Sequence, residues 1–134
     1  MARKEKFITI ENEGRDHGKM FHVTEMSASQ AEWWAMRALM AMGRGGVEIP
    51  ENLRSMGMAA MAMEGLKAIS KIPADEAKPL LDELMGCVQA VPNPADKTVV
   101  RPMIESDIEE ILTRLNLRAE VFKLHVDFFA TVGR

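Results

Sequence analysis

The stretch from Thr24 to Gly43, TEMSASQAEWWAMRALMAMG, constrains the fold most, because it holds both tryptophans and the clearest helical period in the chain. Ser27 followed three residues later by Gln30 reads as a capping box, each side chain satisfying a backbone N–H that the first helical turn leaves unpaired. From there Ala31, Trp34, Ala35, Ala38, Leu39 and Met42 recur at helical spacing as one apolar stripe. Trp33, Met36 and Met40 make a second stripe roughly 100° around the helix. Gln30, Glu32 and Arg37 remain for water. A helix apolar on most of its circumference must be covered on two sides, one by its own domain and the other by more chain, another subunit or a partner.

Around this helix the sequence predicts a mainly α domain (α+β) spanning 1–134, with an N-terminal β-hairpin and four to five helices. The hairpin occupies 1–24: Lys6–Glu11 and Lys19–Thr24 alternate like strands, and the polar, glycine-containing run between them supplies the turn. Helices are expected over 27–43, 51–70 and 75–90, the first closed by Gly43 and the Gly45-Gly46 pair. Ser106 with Glu109 reads as a second capping box, opening a helical segment over 106–130 with a candidate break near Asn116. The core expected from these periods is Trp34, Ala38, Leu39, Leu66, Leu84, Ile111, Leu112 and Leu124.

Composition removes several functional classes. The net charge of -3 gives no basic footprint for nucleic acid, and the chain has no apolar run of the ~20 residues a membrane span needs. One cysteine, Cys87 in the apolar run LMGCV, excludes an internal disulfide framework and suits a reducing compartment. His17, His22 and His125 lack the four-residue pairing of a helical zinc site, so no metal is expected. The glycines after the central helix lack the Lys-Ser/Thr of a phosphate loop, and Asp82-Glu83 and Glu109-Glu110 sit where helices carry solvated or dipole-matching charge. Neither catalytic residues nor a cofactor site can be assigned; the chain reads as a binding protein rather than an enzyme.

Methionine is abundant, 12 of 134 residues, and tyrosine is absent. Flexible, polarizable Met side chains fill irregular cores and also form surfaces that repack around varied apolar partners. The partner-binding residues expected on this ground are Trp33, Met36 and Met40, with Arg37 at their margin. The short hairpin and the two-faced helix also predict self-association, with the hairpin edge as the seam.

Three segments, EGRDHGKMFHVTEMSASQAEWWAMRAL, PLLDELMGCVQAVPNP and DIEEILTRLNLRAEVFKLH, together resemble the small tail assembly chaperones of long-tailed bacteriophages and prophages. The resemblance implies a protein of the bacterial host cytoplasm, absent from the mature virion. Its partner would be the long, apolar, helix-rich tape measure protein, with the tail tube protein as a further contact. The alternative expectation is a minor structural or adaptor protein of the tail or head-to-tail connector, retained in the particle.

Overall fold

The computed structural model of the chain describes residues 3–44, 67 and 71–132, with side chains as far as His125. Strand β1 (Glu5–Thr9) pairs antiparallel with β2 (Met20–Thr24); β3 (Val88–Val91) lies on the far side of β2, and β4 (Arg101–Pro102) on the far side of β3. Three α-helices occur among the described residues: α1 (Ala28–Arg44), α2 (Ala74–Met85) and α3 (Ile111–Val132).

Alternation along the strands separates two faces of the sheet. Phe21 and Val23 of β2, with Val88 opposite Val23, are buried against the helices. Phe7, His22 and Gln89 stand abreast on the other face, where the Phe7 and His22 rings lie 4.6 Å apart. The helical side of the core centres on Trp34. Its Nε1–H donates to Leu80 O of α2 at 2.9 Å, and its ring lies 6.0 Å from that of Phe122 on α3. Leu117 and Val121, both fully buried, complete the contact between α3 and the sheet.

The mainly helical expectation needs correction, because the described residues build a four-stranded antiparallel sheet and three α-helices where the sequence predicts four to five helices. Residues 75–90 are not one helix. The helix ends at Met85, Gly86 turns the chain, and Val88–Val91 enters the sheet beside β2. Four residues, VQAV, are too few for a period to declare itself, and the main-chain pairing that β2 offers decides between helix and strand. The expected cap at Ser106 is also absent. Glu105–Asp107 forms a single 3₁₀ turn, Ile108 is extended, and α3 begins at Ile111 and runs past Asn116 without a break. Apart from Lys67, the helix expected over 51–70, and Leu66 with it, lies outside the described residues.

The start of α3 is capped from elsewhere in the chain. The loop joining β1 to β2 closes with Ile10 N–H donating to Lys19 O and Gly18 N–H donating to Ile10 O, both at 2.8 Å, and its positive φ of 84° at Gly18 favours glycine. This loop carries Asp16, only 1% exposed, against the N-terminus of α3. The Asp16 carboxylate accepts hydrogen bonds from Glu109 N–H and Glu110 N–H, each at 2.9 Å, and from Lys19 Nζ at 2.9 Å. Burial opposes its charge, but the bonds from Lys19, the Glu109 amide, the Thr113 hydroxyl and the Glu110 amide prevail and hold the carboxyl far below the usual range. Arg15 adds a 2.8 Å ion pair to Glu110.

Candidate partner-binding surface

Helix α1 begins where its sequence suggests, with one half of the expected capping box: Ser27 Oγ accepts from Gln30 N–H at 3.4 Å and Ser27 O from Ala31 N–H at 2.8 Å, while no return bond from the Gln30 side chain is seen among the described residues. Trp34, Ala38 and Ala41, at successive helical turns, point into the core. The two alanines leave room for close approach, so the bulky side chains between them are turned outward. Trp33 is 57% exposed, Met36 49%, Leu39 49% and Met40 44%.

Arg37 does not stand free at the margin of this row. Its guanidinium forks onto Glu83 of α2, at 2.6 Å and 2.7 Å, and its central carbon lies 5.4 Å from the Trp33 ring centroid. The hydrogen bond it donates to Glu83 raises the Arg37 pKa above its ordinary value, burial opposing and the Glu83 charge adding to it. A second pair, Arg44 to Glu76 at 2.8 Å, ties the end of α1 to the start of α2. The row is therefore carried on a helix with two ionic attachments and one buried tryptophan. Such a mounting holds an exposed apolar surface in place without burying it.

The structure gathers the four residues picked out in the sequence on one helix, Arg37 in a supporting position rather than a free one. Leu39, expected in the core, is a correction: it joins the exposed row because the inward stripe runs Trp34, Ala38, Ala41. Ile111 at 78% and Leu112 at 52% exposure are corrections too, and with Leu115 they make a second apolar strip at the start of α3. Thr113 takes the inward position there because its hydroxyl reaches Asp16, a partner 97 residues upstream that no local period reveals. The signal available for both strips was only that α1 and α3 are apolar in two phases, and periodicity does not say which phase faces in.

The remaining reactive side chains have structural partners. His125 Nδ1 faces Val121 O at 2.8 Å and Nε2 faces Met26 N–H at 2.9 Å, which sets the tautomer with the proton on Nδ1. His22 bridges Gln89 and Glu5, each at 3.2 Å. Burial, and after it the charge of Glu83, pushes the Cys87 thiol up to about 11, so it is protonated and poorly nucleophilic near neutrality. Asp82 pairs with Lys78 at 2.8 Å. Among the described residues no group of three or more His, Cys, Asp and Glu side chains is placed to hold a metal ion, and no helix is long and apolar enough to cross a membrane. No family model, curated protein or solved structure matches the chain.

Proposed function

We propose that the chain is a tail assembly chaperone that binds the apolar helices of a phage tape measure protein, keeps that protein soluble in the bacterial host cytoplasm, and does not remain in the virion. The observation that carries this reading is the exposed row Trp33, Met36, Leu39 and Met40, four large apolar side chains on one firmly attached helix. An apolar client helix of variable sequence needs a surface that excludes water without demanding one detailed shape. Unbranched methionines beside a broad indole meet that need. The resemblance of three long segments to tail assembly chaperones supports the same client. Ile111, Leu112 and Leu115 offer a second apolar strip for the tail tube subunits that gather around the tape measure protein.

Co-expression with the tape measure protein tests the reading. The wild-type chain should hold it in the soluble fraction and co-purify with it, and purified virions should lack the chain. Failure to retain the tape measure protein overturns the proposal. Stoichiometric presence in virions favours a structural or adaptor protein of the tail instead.

A further inference from the structure

We propose that β1 is the seam of a two-fold dimer, in which a second copy of this chain adds its own β1 antiparallel to the first and joins the two sheets into one of eight strands. Strand β1 ends the sheet, with β2 on one side and no strand on the other among the described residues. The bonds Ile10 N–H to Lys19 O, Gly18 N–H to Ile10 O and Glu25 N–H to Lys4 O show that even-numbered residues turn their peptide groups toward β2. Glu5, Phe7 and Thr9 therefore turn theirs outward, and no described hydrogen bond takes them up. Such an edge is a template for another strand.

Space beside the edge fits a strand as well. A groove of about 460 Å³ runs between β1 and α3, floored by Ile8, Ile10 and Leu117 and walled by Asn116, Ala119 and Lys123. A strand on β1 would lay every second side chain into it, as in other strand additions beside a helix. Lys6 of β1 is bound at 2.9 Å to Glu120, one of the residues lining the groove, which ties α3 to the strand beside it.

The charges of the edge identify the occupant as a second copy. Arg3, Lys4 and Lys6 precede or open the strand, whereas Glu11 and Glu13 follow it. Two such strands side by side and antiparallel set the basic end of each against the acidic end of the other. The outward peptide groups belong to odd-numbered residues, so only registers that pair odd with odd form the ladder. Phe7 opposite its own copy pairs Arg3 with Glu11, Glu5 with Thr9 and Lys6 with Ile8. A shift one way sets Glu5 against Glu11, and a shift the other way sets Lys6 against Lys6. The Phe7 register alone among these is free of a like-charge pair, and it places two aromatic rings at the axis, on the face of the sheet turned away from the helices, each with the Lys97 ammonium of its own chain over it.

Sedimentation of the full chain across a micromolar concentration series should show a monomer–dimer equilibrium. Thr9→Pro removes an outward N–H and leaves the β1–β2 ladder intact, so it should weaken the dimer about a hundredfold while melting of the dilute protein barely moves. Arg3→Glu and Glu11→Arg should each weaken it about tenfold, and the double swap should restore wild-type affinity. If Thr9→Pro unfolds the chain, the charge swap still decides. A strict monomer at high micromolar concentration overturns the proposal, as does a dimer indifferent to all three changes, which would seat on the apolar strips of α1 or α3. A double swap that fails to restore pairing overturns the register and with it the argument for a second copy. Retention of the tape measure protein by monomeric Thr9→Pro would leave the chaperone reading standing, so the two proposals fail separately.

Discussion

Asp16 and Glu109 are 93 residues apart in sequence and 2.9 Å apart in space, the buried carboxylate of the hairpin loop accepting the amide hydrogen at the entrance to α3. The first strand connection is thus the cap of the last helix. Loop and helix stand or fall together. Replacing Asp16 with Ala strands the Glu109 and Glu110 amides and the Thr113 hydroxyl and leaves the Lys19 ammonium with Asp107 O alone, and should cost about 2–4 kcal/mol. Asp16→Asn retains one acceptor and should cost about half as much. Urea unfolding of the three proteins measures this, and equal midpoints would remove the cap from the account.

The same carboxyl predicts how stability responds to acid. Unfolded, Asp16 titrates at about 3.9; folded, it titrates well below that, and Asp107 is displaced in the same direction chiefly by its hydrogen bond from Arg101. A lowered folded-state value means that the stabilisation is complete above about pH 4 and drains away as pH falls below it. Thermal midpoints should be flat from neutrality to about pH 4 and then fall, and Asp16→Asn should fall less steeply over that lower range.

Trp34 is the common contact of the three helices, so Trp34→Ala should destabilise by about 3–5 kcal/mol through lost burial and an unfilled cavity. Trp34→Phe keeps most of the volume but leaves Leu80 O without its donor. It should lie between the alanine variant and the wild type in denaturant midpoint, and a Phe variant as stable as wild type would show the indole N–H to be dispensable.

Trp33 sits next to Trp34 in sequence and on the other side of the helix. Met36→Gln with Met40→Gln, on that outer side, should leave the melting temperature nearly unchanged, because exposed thioethers have little packing to lose. The pair should nevertheless reduce retention of the tape measure protein. A double variant that unfolds would make the row core. One that folds and retains the client as well as wild type would move the binding surface elsewhere, to the strip of Ile111, Leu112 and Leu115.

Cys87 should be slow to alkylate. Burial pushes its thiol up to about 11, so at pH 8 iodoacetamide should react about a hundredfold more slowly with the folded chain than with the same chain in urea. Equal rates would mean that the thiol is more open than its contacts with α2 indicate.

What the sequence by itself determined was local. The N-cap at Ser27, the hairpin and its turn, and the helical period of α1 with its two apolar stripes all follow from neighbours a turn or a strand step away. Tertiary structure decided the rest, because in each case two local answers were nearly equal. VQAV became a strand when β2 offered it hydrogen-bonding partners, although the apolar spacing before it continued a helix. Leu39 went outward and Ala41 inward because the stripe of α1 that joins the core runs through Trp34, Ala38 and Ala41, set by the attachments of Trp34, Arg37 and Arg44 to α2. At the head of α3, Asp16 supplied the cap that Ser106 had the local chemistry to provide, moving the start of the helix to Ile111. Period and capping rules act over about four residues, whereas a buried carboxylate or a free strand edge acts on whatever the fold brings beside it.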